Sequence, residues 1–82
     1  MADYVYRAVI LDALLQYGAR PTPATRPELV HEFVSDLYRH ELRRLRDRLL
    51  AKEFPKNEYF GRVVALRHRY RIIAMRPAEW LE

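Results

Sequence analysis

The sequence predicts an all-α fold: a small up-down bundle of three helices with a short extended or helical tail. Three observations carry this. Apolar residues recur at three- and four-residue steps in three separate stretches, which is the spacing of amphipathic helices. Proline clusters between those stretches, where it ends helices or limits them to a first turn. No two segments of alternating polarity pair as a sheet, and a lone strand is not stable in water. At 82 residues the chain is read as one domain, residues 1–82.

The first helix is expected over residues 3–17. Asp3 stands as its N-cap, and Gly18 lies where a helix ends in a left-handed turn. Tyr4, Val5, Tyr6, Val9, Ile10, Leu11, Leu14, Leu15 and Tyr17 cover most of the wheel, leaving a polar strip at Arg7, Asp12 and Gln16. A helix apolar almost all round needs covering on more than one side. A chain this short also buries only roughly 60 to 65% of the surface its unfolded form exposes. Self-association as a homodimer through Tyr4, Val5, Ile10, Leu11 and Leu14 is the resulting expectation.

Residues 18–26 follow as a proline-rich, solvated connector. The run Thr25, Arg26, Pro27, Glu28 matches a capping box, with the Thr25 hydroxyl and the Glu28 carboxylate each accepting from the other's backbone N–H. Proline in the first turn loses no helical hydrogen bond. A long second helix is therefore expected over residues 26–53. Its apolar stripe drifts from Leu29, Val30, Phe33, Val34 and Leu37 to Tyr38, Leu42, Leu45 and Leu49, so each half faces its own neighbour.

Pro55 breaks that helix, and a third is expected over residues 56–71, burying Tyr59, Phe60, Val63, Val64, Leu66 and Tyr70. Residues 72–82 form the tail: Ile72 to Met75 extended, then Pro77 to Trp80 folding back with Trp80 as an apolar anchor. Leu81 and Glu82 have the composition of a vector-encoded junction and carry no functional weight. The expected core gathers Leu14, Leu15, Phe33, Leu37, Leu45, Phe60 and Val63.

Charge is distributed unevenly. Tyr38 to Arg76 holds twelve Lys/Arg against four Asp/Glu, whereas Met1 to Leu37 holds three against five. Thirteen of the fifteen basic residues are arginine. A field concentrated in this way attracts acidic partners or polyanions. The candidate contact residues are Arg39, Arg43, Arg44, Arg46 and Arg48 on the second helix with Arg62, Arg67, Arg69 and Arg71 on and after the third. Arg39, Arg43 and Arg46 share one face, and Arg44 and Arg48 form an i, i+4 pair on its flank. Forked guanidiniums suit bidentate contacts to carboxylate or phosphate. The competing reading is a solvated face in which Asp36, Glu41 and Asp47 pair with Arg39, Arg44 and Arg43. Tyr70 among the arginines invites base stacking, but its wheel position with Phe60 and Val63 marks it as core with its hydroxyl outward.

Other chemistry finds little support. The absence of cysteine removes disulfides, thiol catalysis and thiolate metal sites. Glu32, Asp36 and His40 align on one face as a mixed ligand set, yet they read better as a surface ladder neutralised by Arg39 and Arg43. His31 and Glu32 begin a zinc-protease helix, but Ser35 stands where its second histidine belongs. Ser35 lies mid-helix without backbone donors for an oxyanion. Two glycines provide no phosphate-cradling loop, and no cofactor motif is present. The first apolar run is too short and too charged to cross a bilayer, and it lacks the leader of a secreted protein, which places the chain in the cytoplasm.

Leu37, Tyr38 and Arg39, followed by Leu42 and Arg43, resemble the signature of the LYR-motif family, small three-helix mitochondrial accessory proteins that bind acylated carrier protein. There the motif stands in the first helix; here it follows a complete helix, and no function is carried over. The sequence thus points to a non-catalytic interaction or accessory module that self-associates and offers an arginine face to an acidic protein partner. The alternative is a nucleic-acid-binding protein using the same face.

Overall fold

A computed structural model describes residues 3–82. It is a three-helix, all-α bundle: α1 is Ala8–Leu15, α2 is Pro27–Leu50 and α3 is Tyr59–Arg69. Tight 3-10 turns occupy Lys56–Glu58, Arg71–Ala74 and Pro77–Trp80. The spine is α2, whose 24 residues span about 36 Å at 1.5 Å per residue. After Pro55 the chain returns along it, with α3 on its C-terminal half and the tail on its N-terminal half. The result is a narrow rod of 52 × 17 × 16 Å.

Helix ends follow local chemistry. Gly18 takes φ +75° and closes α1: its N–H donates to Leu15 O at 3.1 Å, and Ala19 N–H donates to Leu14 O at 3.1 Å. At the end of α2, Lys52 performs the same turn with φ 60°, and Glu53 N–H reaches back to Arg48 O at 3.0 Å. Pro27 is the first residue of α2, as its fixed φ favours. The capping box does not form. The N-cap is Arg26, and the Thr25 hydroxyl instead accepts from Thr22 N–H at 3.0 Å, where it closes the connector turn.

The largest departure from the expected elements lies at the N-terminus. Residues 3–7 are extended, the N-cap of α1 is Arg7, and Asp3 caps nothing. Tyr4, Val5 and Tyr6 are aromatic and β-branched, suited to an extended backbone when a partner is present. The tail supplies one: Tyr6 and Leu81 form an antiparallel bridge, with Arg7 N–H to Trp80 O and Glu82 N–H to Val5 O, both 2.9 Å. Tyr4 N–H is held by Pro23 O at 2.8 Å. Ile72 to Ala74, expected extended, are instead wound into the 3-10 turn after α3.

The core runs Tyr6, Ile10, Leu14, Val30, Val34, Leu45, Phe54, Leu66, Tyr70, Ile72 and Trp80. Leu37 and Val63 sit half-buried against it. Leu15, Phe33 and Phe60 do not join it; Phe60 is 77% exposed. A rod this narrow presents one flank of each helix to its neighbour, so the edges of each apolar stripe stay outside. Trp80 is fully buried and anchors the tail. His31 secures the same region, its Nε2–H shared between Ile73 O at 2.9 Å and Met75 O at 3.1 Å, its ring 5.3 Å from that of Trp80. The Glu79 carboxylate accepts from Arg76 N–H at 2.8 Å, which holds its pKa below the ordinary value.

Candidate anion-binding cleft

The return of α3 along α2 creates a groove whose walls are arginine. Glu41, Arg44, Leu45 and Arg48 fall within roughly 100° of the α2 wheel, and Arg62, Ala65, Leu66 and Arg69 within a similar arc of α3. These eight residues line a cleft of 330 Å³. Leu45 and Leu66 are buried and form its apolar floor. Four guanidiniums thus face one carboxylate across a concavity the size of a side chain.

Three of the guanidiniums are tethered at single points. Arg48 Nε lies 3.3 Å from Glu53, Arg62 3.1 Å from Glu58, and Arg69 3.7 Å from Glu41. Phe54 supports the loop end of the cleft: the Arg62 guanidinium lies 4.2 Å from its ring centre and that of Arg48 5.5 Å. Arg44 makes no ion pair among the described residues. Pairs as exposed as these contribute at most about 1 kcal/mol each, so a better anion displaces them readily.

The cleft also contains polar atoms without partners. Glu41 Oε2 and Arg62 Nε are both sealed from solvent and lack a hydrogen bond. Near this carboxylate the Tyr70 phenol resists ionisation: burial first, then Glu41, push its pKa to about 12. Tyr70 is itself buried and stacks between Tyr17 and Tyr38 at 5.0 and 5.4 Å. It is a core residue and carries no exposed stacking surface.

The structure sorts the nine sequence-predicted arginines into two groups. Arg44, Arg48, Arg62 and Arg69 converge on the cleft. Arg39, Arg43, Arg46, Arg67 and Arg71 are exposed and do not line it. Arg39 pairs with Asp36 as the spacing predicts, whereas Glu41 turns across to Arg69 on α3 rather than along its own helix to Arg44. Sequence reasoning named Glu41 but gave it Arg44 as its partner, and it missed Phe54, whose ring carries the Arg62 guanidinium. Phe54 had one usable signal, an aromatic immediately before the helix-breaking Pro55.

The self-association set is divided as well. Ile10 and Leu14 are buried, at 5% and 0% exposure, and are unavailable to a second subunit, because α1 is short and turns this stripe inward. Val5 and Leu11 are exposed, and with the half-buried Tyr4 they line an apolar groove of 320 Å³ that includes Pro21 and Pro23. Val9 and Leu15 are also more than half exposed.

Among the described residues no three His, Asp or Glu side chains gather closely enough to hold a metal ion, so Glu32, Asp36 and His40 do not form a site. No helix among them is long and apolar enough to cross a membrane. No protein-family model matches the chain, and no match is found among curated proteins or solved structures.

Proposed function

We propose that this protein is a non-catalytic interaction module that receives an acidic protein partner in the cleft between α2 and α3. The observation that carries this reading is the convergence of Arg44, Arg48, Arg62 and Arg69, from two helices, on one concave site with an apolar floor. A protein segment offers what such a site takes: an acidic group for the guanidiniums and methylenes for Leu45 and Leu66. Guanidinium forks give directional, bidentate contacts, and two of the tether carboxylates, Glu53 and Glu58, are exposed and do not line the cleft. A nucleic-acid backbone is a weaker fit. It needs a track of cations, whereas Arg39, Arg43, Arg46, Arg67 and Arg71 do not line the cleft and so do not extend it into one.

Self-association is the second element of the reading, now carried by Val5, Val9, Leu11 and Leu15. Light scattering checks it: a dimer that Val9→Asp dissociates without unfolding supports it, and a wild-type monomer at high micromolar concentration refutes it.

The partner reading is tested by fluorescence anisotropy of a labelled glutamate-rich peptide, with single-stranded DNA and RNA in parallel, across a salt series. Peptide binding that survives physiological salt supports the cleft. Oligonucleotide binding that persists there while the peptide fails would replace this reading with nucleic-acid recognition.

A further inference from the structure

Building on that reading, we infer that the α2–α3 cleft is a seat for a phosphoryl group, and that the acidic partner engages it through a phosphorylated serine or threonine side chain. Carboxylates already engage three of the cleft arginines. Glu41, Glu53 and Glu58 each hold one guanidinium at a single point. A partner aspartate or glutamate entering the cleft engages one fork at a time and gains less than a group that meets several guanidiniums at once. A phosphoryl group differs in charge and in shape. It carries about −1.5 to −2 at neutral pH and presents three strong acceptor oxygens in a tetrahedral array. Four guanidiniums arriving from two helices match that array, where a planar carboxylate satisfies one fork at a time.

Two further features point the same way. Arg44 has no ion pair among the described residues, and Arg48 and Arg62 each meet a carboxylate through one nitrogen, so the cleft holds donor capacity its own carboxylates do not use. Glu41 is the one lining carboxylate, engaged by Arg69 on one oxygen. Its single charge is outnumbered by the four lining guanidiniums, so the cleft keeps a positive potential toward a phosphoryl group. The cleft volume of 330 Å³ suits a side-chain phosphate. A row of nucleotides would instead need the remaining arginines in line with it.

The test uses the full chain and two small probes, N-acetyl-O-phosphoserine amide and N-acetyl-glutamate amide, titrated at constant ionic strength while the arginine side-chain Nε–Hε resonances are followed by NMR. The phosphoserine probe is expected to saturate, shifting Arg44, Arg48, Arg62 and Arg69 selectively, and to bind about tenfold more tightly than the glutamate probe. Arg44→Gln, an exposed position outside the core, removes that preference while the amide spectrum stays folded. Arg69→Gln does the same from the opposite helix. Binding should also weaken as pH falls through about 6, where the phosphate monoester loses its second charge. Equal affinity for the two probes overturns the phosphoryl assignment but leaves the acidic-partner reading intact. Uniform shifts across exposed arginines, unaffected by Arg44→Gln, overturn both.

Discussion

Trp80 offers the sharpest test of how the fold is held, because one side chain near the end of the chain closes the whole N-terminal half. It is fully buried, 5.3 Å from the His31 ring, and its carbonyl accepts the Arg7 N–H that anchors the extended segment before α1. Trp80→Ala removes a large aromatic from a well-filled site, which costs about 3 to 5 kcal/mol in comparable cores. A partial offset comes from Trp80 Nε1, a sealed donor without an acceptor. Deleting a buried, unpaired donor returns about 1 to 3 kcal/mol. The expected net loss is therefore about 2 kcal/mol at the centre of these ranges, against a total of about 4 to 12 kcal/mol for a domain of this length. Urea unfolding followed by far-ultraviolet circular dichroism measures it; fluorescence does not serve, since Trp80 is the single tryptophan. Trp80→Phe, which keeps a ring and deletes the donor, should cost less than half as much. No loss, or a gain in stability, for Trp80→Ala would refute the claim that the tail is part of the core.

Further expectations concern the end of α2 and the tyrosines. Lys52 sits at φ 60°, a conformation that costs an ordinary L-residue about 1 to 2 kcal/mol and glycine almost nothing. Allowing for the backbone entropy of glycine, Lys52→Gly should stabilise by about 0.5 to 1 kcal/mol and raise the thermal midpoint by a few degrees; a lowered midpoint would contradict the left-handed cap. The Tyr70 phenol, at about 12, stays protonated in the folded state after the unfolded chain has ionised. A raised acid of this kind contributes stability that is complete below about pH 10 and is lost as pH rises from there through 12. Tyr6 and Tyr17 are shifted upward too, chiefly by burial. Absorbance at the phenolate band should show a late-ionising class that Tyr70→Phe diminishes, whereas joint ionisation of all tyrosines near pH 10 in folded protein would contradict the burial.

The parts of the fold legible in the sequence were those dictated by backbone chemistry. Pro27 tolerates only the first turn of a helix, Gly18 supplies a positive φ, and Pro55 forbids continuation of α2; each stands where it was expected. Trp80 was legible because a tryptophan in a short polar tail has few stable places other than the core. What was not legible depended on distant partners. Tyr4 to Tyr6 carry an apolar pattern that a helix or a strand satisfies, and the decision came from Leu81 and Glu82, more than seventy residues away. Wheel arithmetic identified the apolar stripes of each helix but not their width, so Phe33 and Phe60 were assigned to a core too narrow to hold them. The cleft was half legible for the same reason. Arg44 and Arg48 were visible as a pair on one flank of α2, but only the rotation of α3 against that flank brings Arg62 and Arg69 to meet them.

The proposed cleft makes the location of the arginines, rather than the net charge they add, decisive for binding. It is tested most directly by two double variants of equal charge: Arg44→Gln with Arg69→Gln inside the cleft, and Arg43→Gln with Arg46→Gln on the exposed face of α2. Affinity for one labelled acidic peptide is measured for both at physiological salt. The cleft pair should lose about tenfold or more, and the outer pair less than about threefold, as expected when close contacts rather than a screened field carry the energy. Equal losses in the two variants would contradict the cleft and leave only a diffuse positive surface.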